Sequence, residues 1–95
     1  MVNMYNVLDL VRERANEKDW ELIFDSGEAS DRREIIWEHP ILDNMGRLLE
    51  LEVHFTPDGR VVHSEKRRDG KWFHRNHVMD DFGSSDVHIE TLRMI

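Results

Sequence analysis

Histidine is the residue type in this chain that could most readily hold a metal or transfer a proton, and the chain has six. His74 and His77 are close together, but an odd separation on a strand puts two side chains on opposite faces. His54 and His63 could meet across a hairpin, but only in the less favoured of two registers. No HExxH helix and no cysteine accompanies them. We therefore predict histidines that pack or face water, and neither a metal nor another cofactor.

The other reactive residue types give no motif for catalysis. Asp80 and Asp81 are adjacent carboxylates, but the spaced oxygen ligands of a calcium-binding loop are absent. No serine lies in a GxSxG turn, and no glycine-rich loop could cradle a phosphate. A chain of 95 residues also leaves little room for a deep pocket. We predict that the protein is not an enzyme.

Residues 60–77 form a basic, aromatic-bearing hairpin in an otherwise acidic chain. Six cationic and two acidic residues give this segment a net charge of +4, whereas the whole chain carries −7. As a site, the hairpin would bind single-stranded nucleic acid through phosphate contacts and a stacked base. As structure, its cations would pair with Glu50 and Glu52 on the neighbouring strand. We favour the structural interpretation and keep the nucleic-acid site as the alternative, with Lys66, Arg67, Arg68, Lys71, Trp72 and Arg75 as its residues.

Trp72 distinguishes these two interpretations, because it is the large indole inside the basic segment. Strict alternation puts it on the same face as His74, Asn76 and Val78, which is polar company for a core strand. We therefore expect Trp72 to be only partly buried, close to Lys71. A partly exposed indole beside cations could stack on a base or anchor a protein interface.

The rest of the chain sums to −11, and its best-ordered acidic feature is a ridge on the first helix. Asp9, Glu13 and Glu17 recur every four residues, so they share one helix face at a small cost in helix stability. The ordinary explanation is solubility. The functional explanation is a carboxylate surface that meets a basic protein partner. We predict a small non-enzymatic module that acts stoichiometrically in this way, with the ridge as its partner-binding face.

Hydrophobic periodicity then gives the elements that must position these residues. Met4, Val7, Leu8 and Val11 predict an amphipathic helix over about 4–17. Alternation predicts strands near 20–25, 35–39, 49–55, 60–67 and 71–78, with turns between them. Residues 86–95 fit either a strand or a helix, and we favour the strand. The expected core comprises Leu51, Val53, Phe24, Leu22, Trp37, Val7 and Val11.

The turn Thr56–Gly59 sets the register of the central hairpin. Pro57 suits the second position of a type I turn, and Gly59 can adopt the left-handed conformation that follows it. This arrangement pairs Phe55 with Val61 and Glu50 with Lys66. A two-residue turn at Asp58 and Gly59 would instead pair His54 with His63. We favour the first register.

The predicted fold class is α+β: an N-terminal helix packed on an antiparallel meander of five to six strands, as a single domain over residues 1–95. No apolar run is long enough to span a membrane, and the N-terminus lacks the pattern of a signal peptide. We expect a cytoplasmic protein with no membrane partner. In architecture and charge, without a shared motif, the chain resembles small phage-borne inhibitors of defence nucleases and immunity proteins that block toxic nucleases.

Overall fold

A computed structural model describes residues 7–27, 31–39, 48–68, 71–77 and 85–95. It confirms the α+β class and the antiparallel meander, and it adds a short helix at the C-terminal end. The elements in chain order are α1 (Val7–Glu17), β1 (Glu21–Asp25), β2 (Arg33–His39), β3 (Leu49–Phe55), β4 (Val61–Arg68), β5 (Lys71–His77) and α2 (Ser85–Met94).

The five strands form one sheet in the order β1-β2-β3-β4-β5, with every neighbouring pair antiparallel. Alternate residues of β2 and β3 are buried in a single core with residues of both helices. We call this side the covered face and the opposite side the open face. The central core prediction is confirmed, because Leu51, Val53 and Val11 are fully buried and Trp37 nearly so; Val7 packs against their cluster.

Helix α1 ends in a Schellman motif, which directs the chain from the helix into β1. The N–H of Trp20 donates to the carbonyl of Ala15 at 2.9 Å, and that of Asp19 donates to Asn16 at 3.2 Å. Asp19 adopts a φ of 66°, the left-handed conformation that this motif requires. The turn buries Trp20 against the core.

The β3–β4 hairpin combines features of both registers. Phe55 pairs with Val61, and Gly59 has a φ of 86°, as the type I turn predicts. A bulge at Val62 then shifts the register by one residue, so His54 pairs with His63 and Glu50 with Arg67. The predicted pairing of Glu50 with Lys66 is therefore wrong. The extra residue in β4 allows both Val61 and Val62 to be buried.

A second bulge, at residue 73, changes the face on which Trp72 lies. His74 pairs with Lys66, but Trp72 pairs with Arg67, so one additional residue separates the two pairs in β5. The prediction that Trp72 shares a face with His74 and Asn76 is therefore wrong. The indole lies on the open face with Arg75, and the expectation of partial exposure is confirmed at 53%.

The C-terminal residues form a helix, so the predicted strand is wrong. Val87, Thr91 and Met94 are spaced three to four residues apart and are buried together, which is helical periodicity. Ile89, whose alternation with Val87 suggested a strand, is instead 48% exposed on the other side of the helix. Thr91 Oγ1 donates to Ser64 Oγ at 2.8 Å, and this buried bond fastens α2 to β4.

Two members of the predicted core, Leu22 and Phe24, lie largely outside it. They are 51% and 50% exposed, and Ile23 between them is 47% exposed. Among the described strands, β1 lies at the edge of the sheet and pairs with β2 alone, and its register shifts between Leu22 and Phe24. The shift sends Leu22 and Phe24 to opposite faces, at a margin of the sheet that the helices do not bury. An apolar edge results.

Candidate functional site

The predicted acidic ridge is present on α1. Asp9, Glu13 and Glu17 are all exposed on this helix, which the structure describes from Val7 onward. Beside the ridge, a cleft of about 370 Å³ separates α1 from the first two strands. Its lining comprises Arg12, Glu13, Asn16, Trp20, Leu22 and Trp37.

Leu22 in the lining of this cleft is also the first of three consecutive exposed apolar residues of β1, followed by Ile23 and Phe24. Glu21 and Asp25 bracket these three residues at the two ends of β1. Arg33 holds Asp25 through two hydrogen bonds of 2.9 and 2.8 Å, and these bonds keep the pKa of the Asp25 carboxyl below its ordinary value. The surface therefore has an apolar centre with acidic groups around it, an arrangement typical of protein interfaces.

The basic hairpin does not form a single cationic surface, because its residues divide between the two faces. Lys66 lies on the covered face, where its Nζ donates to the carbonyl oxygen of Met94 at 2.7 Å. It therefore caps the C-terminus of α2, where the helix dipole favours a cation. Burial, and the charge of Arg68, lower the pKa of the Lys66 ammonium. Lys71 is exposed at the start of β5.

Arg67 projects from the open face and joins three carboxylates. Its Nη1 donates to Glu52 at 2.7 Å and to Glu65 at 2.9 Å, while its Nε lies 3.4 Å from Glu50. Burial lowers the pKa of the Arg67 guanidinium, but the bonds to Glu52 and Glu65 outweigh it and raise that pKa. Arg67 is thus compensated within the fold, which weakens the case that it binds phosphate.

Trp72 and Arg75 are the part of the hairpin best placed to meet a partner. The Arg75 guanidinium lies 4.4 Å from the centre of the Trp72 ring, within the range of a cation–π contact. Arg75 also lies 3.3 Å from Glu65. The two side chains therefore form a small platform at the β5 side of the sheet, which a base or a partner side chain could cover.

The histidines His54 and His63 are brought together by the bulge at Val62. Their ring centres are 4.9 Å apart on the open face. His54 Nε2 lies 2.5 Å from Glu52 and 3.6 Å from Glu34, and His63 Nε2 lies 3.0 Å from Glu65. The grouping could have been found from sequence only by choosing the register that pairs His54 with His63.

These side chains and the arginines beside them form one connected group, which we call the open-face network. Burial raises the pKa of the Glu52 carboxyl, but hydrogen bonds from Arg67 and His54 outweigh burial and lower it. The pKa of Glu65 is lowered in the same way, because bonds from His63 and Arg67 outweigh its burial. The members are Glu34, Glu50, Glu52, His54, His63, Glu65, Arg67 and Arg75.

His39 and His74 occupy positions on the covered face, on the other side of the sheet from this network. His74 is exposed and pairs with Lys66, while the backbone of His77 pairs with His63. Asp80 and Asp81 lie outside the described residues. His39 packs edge-on against Trp20, with ring centres 5.0 Å apart.

Among the described residues, neither helix combines the length and the apolar character needed to cross a membrane. Comparisons of the chain with models of protein families, with curated proteins and with solved structures find no match.

Proposed function

We propose that this chain is a non-enzymatic binding module that acts stoichiometrically on a protein with a basic surface. The supporting observation is that Glu13 of the acidic ridge and Leu22 of the apolar β1 edge line the same cleft. Three consecutive large apolar residues, each about half exposed, are unusual in a small charged protein. Their burial against a partner would supply affinity, and the carboxylates around them would select a basic partner.

The geometry of β1 suggests how the partner is held. Within the part of the chain that the structure describes, β1 pairs only with β2, so its outer backbone groups face away from the sheet. An extended segment of the partner could add to this edge and place its side chains against Leu22 and Phe24. Long-range attraction by Asp9, Glu13 and Glu17 would accelerate association at low salt and lose its effect as salt rises.

A tagged pull-down from the native host, with and without nuclease treatment, tests this proposal. A protein should be captured in both cases, and Glu13→Lys and Glu17→Lys, each made alone, should reduce its recovery. Glu90→Lys on α2 is the matched control, because it reverses an acidic charge away from the ridge. Recovery that depends on nucleic acid, or that Glu90→Lys reduces as much as the ridge variants do, would contradict the proposal.

The alternative is single-stranded nucleic-acid binding by the hairpin. Its support is the exposed Trp72 ring with Arg75 stacked on it. Against it, Lys66 caps α2 and Arg67 is compensated by carboxylates. The open face around this platform also carries Glu50, Glu52 and Glu65, which would repel a polyanion. We therefore rank protein binding first.

A further inference from the structure

Three potential metal ligands converge on the open face. One carboxylate oxygen of Glu34, one of Glu52 and one ring nitrogen of His54 all lie within 4.8 Å of one another. Zinc–ligand bonds are about 2.0–2.2 Å for nitrogen and oxygen. His54 Nε2 and Glu52 Oε2 are 2.5 Å apart, so an ion bound between them would replace their hydrogen bond and move the two atoms apart. The group combines one imidazole with two carboxylates, a donor set that suits a borderline divalent cation.

The sheet register fixes the positions of these three ligands. Glu34 and His54 are directly opposed on β2 and β3, and Glu52 lies two residues from His54 on the same face. Ligands on paired strands need little ordering when they bind, because the backbone already holds them together.

Arg67 orients one of the ligands. Its Nη1 donates to Oε1 of Glu52 at 2.7 Å, which leaves Oε2 directed at His54. Such an outer contact fixes the angle of a ligating carboxylate. Glu50 and Glu65 also contact the Arg67 guanidinium, so their negative charges offset its repulsion of a bound cation.

The charge of the open-face network also favours a cation. Its four carboxylates outnumber its two guanidinium groups, so the network carries a charge of −2 when both histidines are neutral. One divalent ion would balance this charge. The ligands are also partly shielded, since the side chains of His54 and Glu52 are 16% and 18% exposed.

We propose that Glu34, Glu52 and His54 bind one divalent transition-metal ion of the zinc type, with water completing its coordination. This site is independent of the partner surface on α1 and β1. It also departs from the sequence-based expectation of no metal, which was based on the absence of ligand motifs and on the opposite faces expected for His74 and His77.

The test is calorimetric titration of untagged, chelator-treated protein with Zn²⁺. We expect one ion per chain. Changes in outer-shell contacts typically cost about 10–100-fold in metal affinity, so the loss of a direct ligand should cost at least as much. Glu34→Gln and His54→Gln should each cause a loss of this size. Glu34 is 45% exposed, so its substitution should leave the fold intact.

Glu38→Gln is the matched control, because Glu38 lies on the same strand and face as Glu34 but opposite Glu50. It removes the same charge and should leave the affinity within about twofold of wild type, compared with the loss expected for a ligand. Titration with Co²⁺ supplies a spectroscopic check, since its visible absorption should change with Glu34→Gln and not with Glu38→Gln. Failure to bind Zn²⁺, or equal losses in Glu34→Gln and Glu38→Gln, would overturn the proposal.

Discussion

Lys66 shows how a residue that suggests ligand binding in the sequence can serve the fold instead. Its ammonium group caps α2 through Met94 and lies 5.5 Å from the centre of the Trp20 ring. We expect Lys66→Met, which keeps most of the stem but removes the donor, to lower the free energy of unfolding by about 1–2 kcal/mol. Lys71→Met is the control, since Lys71 is exposed on the adjacent strand. Urea unfolding measures both; equal effects would show that Lys66 does not cap the helix.

Trp72 provides a second prediction for a single residue. If protein binding is the function, short single-stranded DNA or RNA at micromolar concentration and low salt should leave tryptophan fluorescence unchanged. The neighbouring acidic groups should repel the strand before the exposed indole can stack on a base. Trp72→Phe identifies the contribution of this indole among three tryptophans. Quenching that disappears in Trp72→Phe and weakens with salt would favour the nucleic-acid alternative.

Among the elements, α2 is attached to β4 by a contact that depends on protonation. The Val61 N–H donates to His88 Nε2 at 3.3 Å, so the acceptor nitrogen must be unprotonated. Burial, and then the positive charge of Arg60, hold the pKa of His88 below its ordinary value of 6.5. Since the unfolded chain protonates first, the contribution of this histidine to stability is complete above pH 6.5. It is lost as the pH falls through the pKa of the folded protein.

We therefore expect His88→Gln to reduce the loss of stability between pH 7.5 and pH 5.0. Glutamine keeps an acceptor but does not titrate in this range. Urea unfolding of both proteins at the two pH values gives the difference, and the other histidines contribute equally to both. An identical loss of stability in both proteins would show that the α2–β4 contact does not sense pH.

The strands were easier to predict than their registers and their faces. Strand β3 was clear because Leu51 and Val53 alternate with polar residues, and burial of one face imposes that pattern. No sequence pattern indicates the bulge at Val62. Val61 and Val62 are adjacent and identical in type, so either one could take the buried position at the start of the strand. The pairing of Glu50 and Glu52 with a hairpin cation was predicted and is found at Arg67. The bulge brings His54 and His63 together, so their place in the open-face network was not predicted.

The helices, too, could be predicted only in part from the sequence. The ridge of Asp9, Glu13 and Glu17 follows from helical periodicity alone, so its place on α1 could be predicted. In α2, β-branched residues at alternate positions imitate a strand, and tertiary packing of Val87, Thr91 and Met94 decides for the helix. Leu22 and Phe24 are exposed because they lie on a strand at the edge of the sheet, whereas hydrophobicity alone assigns them to the core.

For the whole molecule, we expect burial to determine how much each leucine contributes to stability, even for two leucines that the sequence assigns equally to the core. Leu51 is fully buried, so Leu51→Ala should cost roughly 2–4 kcal/mol of unfolding free energy. Leu22→Ala is the matched control and should cost well under half as much, since half of its surface already meets solvent. Chemical denaturation of both variants gives the comparison. Comparable costs would mean that β1 is covered in solution, for example by a second copy of the chain.

The consecutive order of the strands has a consequence for how the molecule folds. Each strand pairs with its neighbour in the chain, so the sheet can grow one short hairpin at a time. The hydrogen bond from Leu8 to Gly59 and the packing of α1 against α2 join segments much further apart. Closing those long loops carries the larger entropic cost. We therefore expect the hairpins to form early and α1 to dock late, so that variants in the α1 contact should chiefly accelerate unfolding and leave the folding rate nearly unchanged.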